Sequence, residues 1–286
     1  MKLYLILFCF LFSFQVNAQG KYKSLSWKIY GNELKDTSFL YGTMHTKDER
    51  AFNFKEEVLV AFDKASIYAM ELNIDSINQT ELINELIMDS TSSLKSLLSN
   101  KNYRLAENYF KDSIGISLFF FDKIAPIYTT QLVTANDLGA QKEEAMDLYF
   151  HEKAKDQKKK IVGLETAAEQ INAFNSIPYN IQAKELIKAV KAAYKGENEL
   201  DNIIAIYIEE DLDKLLQLST TNSSNKKYST IINDIFIDKR NKTMAKRAEA
   251  LILENCVFIA IGAAHLPGEN GVIELLRKKG YLVEPF

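Results

Sequence analysis

Two tetrapeptides of the form Gly-x-x-His stand out by their setting. Gly42-Thr43-Met44-His45 follows the apolar run "SFLY", and Gly262-Ala263-Ala264-His265 follows "CVFIAI" near the other end of the chain. The sequence holds only three histidines, so two of them occupy matching positions. Two carboxylates have comparable places: Glu71 lies near the end of "SIYAMEL", and Glu165 follows "KIVGL". Imidazoles and carboxylates together suit a divalent transition metal, because zinc accepts both and leaves one position open for water. Manganese, iron and cobalt use similar donors. A water held this way ionises near neutral pH, and the carboxylate not used as a ligand can act as general base. Either glutamate fits either role at this level.

Other residues carry weaker signals. Arg240, followed by Asn241 in "DKRNKTMAKRAE", could stabilise an anionic transition state or hold a substrate carboxylate. In a surface helix the same residue is ordinarily an exposed ion-pair partner. Gln170, five residues past Glu165, could face the same edge, and Asp147, in "EEAMDLYFHEKA", calls for the same caution as Arg240. The third histidine, His151, sits in the polar stretch "YFHEKAKDQKKK" and is expected to face solvent. The run Phe119–Phe121 reads as core or lid packing, and Cys256, at the start of an apolar run, as a buried structural thiol.

The elements that must position these groups follow from apolar patterning. Four short runs bounded by polar or turn residues read as strands: Ser38–Tyr41, Ser66–Leu72, Lys160–Leu164 and Cys256–Ile261. Most show little alternation, as expected of parallel strands covered on both faces. A further strand is expected at Tyr281–Val283, after the helical "GVIELLRKKG", and a hairpin in "LSWKIYGNELKDTSFLYG" adds an antiparallel N-terminal edge. The segment "NFKEEVLVAFDKA" has the length of a helical crossover between the first two strands. Residues 78–159 and 167–254 exceed any simple crossover and read as helical insertions, with "STTNSSNKK" (219–227) as the clearest loop. The expected fold is therefore α/β: a mainly parallel β-sheet core with flanking helices and a large helical insertion. Parallel strands would bring His45, Glu71, Glu165 and His265 to one carboxyl edge, where open α/β sheets bind ligands. Glycines 42 and 262 would let the chain approach a ligand closely.

Composition narrows the function classes. Residues 1–18 have the build of a secretory signal peptide: Lys2, an apolar stretch from Leu3 to Phe14, then small residues ending at Ala18. That stretch is short for a membrane span, which needs about 20 apolar residues, and no later window approaches one. The expectation is export to the periplasm or exterior without a stable span. Net charge is −3, or −4 once Lys2 is removed, which favours neither nucleic acid nor an anionic membrane surface. Cys256 is then the remaining cysteine, so stability must come from the core, to which a hydrophobic content of 47% is adequate.

The blocks "SWKIYGN", "SFLYGTMHTKDERAF", "MELN", "AMDLYFHEKAKDQKKKIVGLETAAEQ", "DKRNKTMAKRAE" and "FIAIGAAHLPGENGVIELLRKKGYLVEPF" resemble, in that order, the TraB/GumN family, which includes the Tiki proteins. The resemblance covers nearly all of the chain after the leader and is weakest in the helical middle. It implies a fold related to the erythromycin-esterase and ChaN-like group, spanning 19–286 as a single domain. It also implies a metal-dependent hydrolase of Tiki-like peptidase type, using zinc, manganese or cobalt on a peptide or protein substrate. The family's two Gly-x-x-His motifs fall on Gly42–His45 and Gly262–His265, its glutamate after the second strand on Glu71, its "LET…EQ" block on Glu165 and Gln170, and its "RN" pair on Arg240 and Asn241. His45, His265 and Glu71 are thereby the implied metal ligands, and Glu71, Glu165 and Arg240 the implied catalytic groups. Gly42, Gly262, Gln170 and Asn241 would bind substrate or support the ligands. The alternative under the same resemblance is a protein without turnover that captures a pheromone-like peptide, or iron or haem. No Cys-x-x-Cys-His motif is present, so haem would be held non-covalently.

Overall fold

A computed structural model of the chain describes residues 21–78, 85–137, 144–196, 199–221 and 233–286, with a few isolated positions between them. The leader expected at 1–18 and the 222–227 part of the polar loop lie outside the described residues. Six strands form one sheet: β1 Ser26–Tyr30, β2 Ser38–Thr43, β3 Ile67–Leu72, β4 Lys160–Glu165, β5 Val257–Gly262 and β6 Leu282–Pro285. Their order is β4-β3-β5-β2-β1-β6. The first four in that order are parallel, and β1 runs antiparallel to both β2 and β6. The mainly parallel α/β sheet with an antiparallel edge is thus observed, and each expected strand lies within two residues of its bounds.

The order holds one difference from a simple reading. The segment between β2 and β3 is a crossover helix, α1 Glu56–Lys64, but β2 and β3 are not neighbours. Between them lies β5, from the far end of the chain, paired with both through Gly42↔Ile261, Thr43↔Gly262 and Met70↔Ala260. Hydrophobicity explains its central place. "VFIAIG" has five buried residues in six, so a strand with no polar face sits where both faces are covered.

Helices α2 Leu94–Leu97, α3 Asn100–Tyr109, α4 Pro126–Asp137 and α5 Met146–Asp156 precede β4. After it come α6 Ala167–Asn175, α7 Tyr179–Lys195, α8 Glu199–Ile208, α9 Leu212–Thr221 and α10 Lys239–Ile252; α11 Val272–Lys278 joins β5 to β6. Phe62 of α1 and Phe150 of α5 pack their rings on Phe258 and Tyr68 of the sheet, and Phe150 also meets Tyr41. A second apolar cluster joins the two helical stretches, with Leu94, Tyr109, Phe110 and Val133 against Leu186, Ile187 and Val190 of α7.

Two expectations are corrected here. His151 does not face solvent: its side chain is fully buried, with Nε2 3.1 Å from Asp75 Oδ2 and Nδ1 3.2 Å from Glu152 Oε1. The packing face of α5 runs through Met146, Phe150, His151 and Ala154, so the ring belongs to the apolar side of a helix whose other side is charged. Of the core or lid packing expected for Phe119–Phe121, the core alternative fails for Phe119 and Phe120, which are 72% and 73% exposed; of that run only Phe121 packs inward, against Phe110.

Candidate functional site

The carboxyl ends of β2, β3 and β5 open into a cavity of about 870 Å³, whose lining includes His45, Glu71, Gln170, Arg240, Gly262 and His265. Glu165, Asn241 and Gly42 stand behind that lining and touch it through other residues. The nine residues implied as site residues therefore gather at one sheet edge, drawn from β2 and the residues just past it, β3, β4, β5 and the turn after it, α6 and α10.

His265 sits on the single turn Ala263–His265 that follows β5 and is buried at 5% exposure. Its Nδ1 lies 2.7 Å from Asn241 Oδ1. Asn241 in turn donates its Nδ2 to the Asn270 carbonyl at 2.8 Å, which aims its oxygen at the ring. Nδ1 must therefore carry the proton, and Nε2 presents a bare lone pair. Burial pushes the His265 pKa down, aided by the nearby Arg240 charge and opposed by Glu71, so the neutral ring is favoured.

That lone pair faces Glu71. His265 Nε2 and Glu71 Oε1 are 3.7 Å apart, and Oε1 also accepts the Gly262 N–H at 2.6 Å. A Cβ at position 262 would come 3.0 Å from the same oxygen, so Glu71 would have to give way by a few tenths of an ångström; the constraint here is close approach and not an unusual φ. Burial would raise the Glu71 pKa, but the charges of His265, Arg240 and His45 and the Gly262 N–H hold it at about 2. Because His265 itself favours the neutral form, Arg240 and His45 are the standing counter-charges at neutral pH.

Arg240 is held between two carboxylates. Its Nη2 lies 2.7 Å from Glu71 Oε2 and 2.6 Å from Glu165 Oε2, and its Nε donates to both oxygens of Glu165 at 3.0 Å. Nη1 reaches the Phe236 carbonyl at 3.3 Å. Gln170 Nε2 adds a donor to Glu165 at 3.2 Å. The guanidinium is thus largely occupied by the protein's own acids, and Glu165 is the anchor that holds it.

His45 has a different setting. Its side chain is 70% exposed, and Nδ1 lies 2.5 Å from Asp147 Oδ2. The hydrogen bond to Asp147 outweighs desolvation and pushes the His45 pKa up to about 9. The other Asp147 oxygen accepts the Thr43 hydroxyl at 2.9 Å. Asp147 has one local signal in the sequence, a carboxylate in the first turn of a helix, and nothing there points to its partner. Tyr207, buried, donates its hydroxyl to the Gly42 carbonyl at 2.8 Å, and no sequence pattern points to it.

The donor chemistry at His265 and Glu71 fits a divalent cation. Two acceptor atoms face each other with no hydrogen between them, and ligands about 2.1 Å from a tetrahedral ion stand roughly 3.4 Å apart, close to their separation. Among the described residues, no group of three or more His, Cys, Asp and Glu side chains is already gathered around a single point. His45, with Nδ1 committed to Asp147, is the further donor nearest in kind.

The sequence model of the TraB/PrgY/gumN family matches residues 25–285. Among curated proteins, the chain is 24% identical to Metalloprotease TIKI1 of Danio rerio over 93% of its own length and 64% of that protein. It is 25% identical to Metalloprotease TIKI2 of Xenopus tropicalis over 86% of this chain and 57% of that protein. Against Metalloprotease TIKI1 of Homo sapiens the identity is 23%, over 93% and 62% respectively. The chain therefore spans about three fifths of the length of the curated relatives it matches. No solved structure matches it significantly.

Proposed function

The chain belongs to the TraB/PrgY/gumN family, and from that premise we propose that it is a metal-dependent peptidase acting at the carboxyl edge of its sheet. The observation that carries the proposal is the facing pair of His265 Nε2 and Glu71 Oε1, 3.7 Å apart at the cavity wall. Relatives named metalloproteases support the same class of chemistry. His265 and Glu71 would hold the ion, with His45 as the third donor. A divalent cation bound there supplies Lewis acidity to a water and to the scissile carbonyl.

The chain's own residues prepare that chemistry. Asn241 fixes the His265 tautomer, leaving Nε2 as the free donor. Glu71, with its pKa at about 2, stays ionised and is a poor proton acceptor near neutral pH, which suits a ligand better than a general base. Arg240 offsets the charge of Glu71 and Glu165 and aims the former at His265. The same reading takes residues 19–286 as one family domain, exported after loss of residues 1–18; among the described residues no helix is long and apolar enough to cross a membrane.

Metal content and peptidase activity of the purified protein test the proposal, with zinc, manganese and cobalt supplied in turn. His265→Ala and Glu71→Ala should each lose the ion and the activity together. A wild-type protein that takes up none of these ions and cleaves no peptide in their presence would end it.

A further inference from the structure

The two Gly-x-x-His motifs are alike in sequence and unlike in setting. His265 is buried and held by its surroundings, whereas His45 is exposed and its ring meets the carboxylate of Asp147. An imidazole that open to water samples several rotamers unless something holds it. Asp147 is itself only 18% exposed and is fixed from three directions. Thr43, at the end of β2, donates to its Oδ1 at 2.9 Å. Met146 N–H donates to the Thr46 carbonyl at 3.2 Å, and Lys142 N–H to the Lys47 carbonyl at 2.9 Å, tying the start of α5 to the segment just past His45. Met146 and Phe150 anchor the same helix turn in the core. An N-terminal first turn also favours a carboxylate there.

We infer that Asp147, set by Thr43, is a positioning residue that locks the His45 ring with Nδ1–H toward itself, so that Nε2 is the atom presented to the cavity. A carboxylate behind a histidine does this in many metal and proton-transfer sites, fixing tautomer and orientation and raising donor strength. Fold stability alone is a poor reason for the contact, because an ion pair with so exposed a histidine adds little. Its consequence is geometric. His45, just past the end of β2, and Asp147, in the first turn of α5, belong to different parts of the sequence, and Thr43 joins them. The functional meaning of this device rests on the metallopeptidase reading, but its geometry does not.

The test separates the two. Wild type, Asp147→Ala, Asp147→Asn and Thr43→Val are labelled with ¹⁵N-histidine, and the His45 ring nitrogens are followed by NMR in metal-free protein. Signals are assigned with His45→Gln. With spectra taken above pH 9, where the ring is neutral, wild type should show His45 protonated at Nδ1; Asp147→Ala should convert it to a mixture dominated by the Nε2–H tautomer, and Thr43→Val should give a smaller change in the same direction. In metal competition assays, affinity should fall roughly 10- to 100-fold in Asp147→Ala, while the melting temperature stays close to that of wild type. An unchanged His45 tautomer in Asp147→Ala overturns the inference, as does a fall in melting temperature with the tautomer preserved. If the protein binds no ion at all, the peptidase reading fails while the tautomer measurement still decides the role of Asp147.

Discussion

Replacing Arg240 by methionine keeps much of the side-chain volume and removes the one cation between Glu71 and Glu165. Those carboxylates are 11% and 2% exposed, and Arg240 approaches them at 2.6–2.7 Å through Nη2. Breaking a buried ion pair on one side costs about 3–5 kcal/mol, because the remaining charge stays desolvated and unpaired. Glu71 gives an independent figure. A carboxyl held at about 2 against an ordinary 4.5 represents roughly 3 kcal/mol of favourable interaction, shared among Arg240, the histidines and the Gly262 N–H. With a urea m-value of about 3 kcal/mol/M for a chain of this size, the unfolding midpoint should drop by roughly 1–1.5 M at pH 7.

The same change has a pH signature. In wild type the depressed Glu71 pKa contributes stability that is complete above about 4.5 and is lost as pH falls toward 2, so this group is silent between pH 7 and pH 5. In Arg240→Met, Glu71 loses its main counter-charge, burial raises its pKa, and it takes up a proton in that window. The gap between the two proteins should therefore narrow by about 1 kcal/mol or more from pH 7 to pH 5. Arg240→Lys should recover only part of the loss, since a point charge cannot replace a fork that bonds both acids. Urea melts of the three proteins at both pH values decide it. A loss under about 1 kcal/mol at pH 7, or a gap independent of pH, would refute the account of Arg240 as the clamp of this edge.

Three further outcomes are expected. Gly262→Ala places a methyl 3.0 Å from Glu71 Oε1, so Glu71 must move; the variant should lose about 1–3 kcal/mol in denaturant melts and bind metal more weakly by calorimetry. Asn241→Ala removes the oxygen that fixes His265 and should weaken metal binding roughly 10- to 100-fold, seen as a shift in chelator competition, with a smaller loss of stability. On the acid side, burial would raise the Glu274 carboxyl, but hydrogen bonds from Lys21, Arg277 and Tyr22 hold it at about 2. Glu274→Gln should therefore flatten the stability loss between about pH 4.5 and pH 2, read by thermal melts across that range.

Much of this architecture is legible in the sequence because its causes are local. "SFLY", "SIYAMEL", "KIVGL" and "CVFIAI" are short, apolar and bounded by turn formers, so their strand character follows from side-chain type and run length. The placing of histidines and glutamates at strand ends is visible for the same reason. What neighbours what was decided only by the tertiary structure. The insertion of β5 between β2 and β3 is a pairing across nearly two hundred residues, and it alone sets His265 beside Glu71. Arg240 could be read as surface, transition-state or substrate contact until the fold laid α10 against β4 and β5 and showed its partners to be Glu71 and Glu165. For His151, a polar sequence window hides the buried helix face it shares with Met146 and Phe150. The contacts of Asp147 with Thr43 and His45 and of Tyr207 with Gly42 have no local signature, since each joins groups about a hundred residues or more apart. Local pattern determined which residues could do chemistry; long-range packing, where directional hydrogen bonds and charge burial decide, determined which of them face one another.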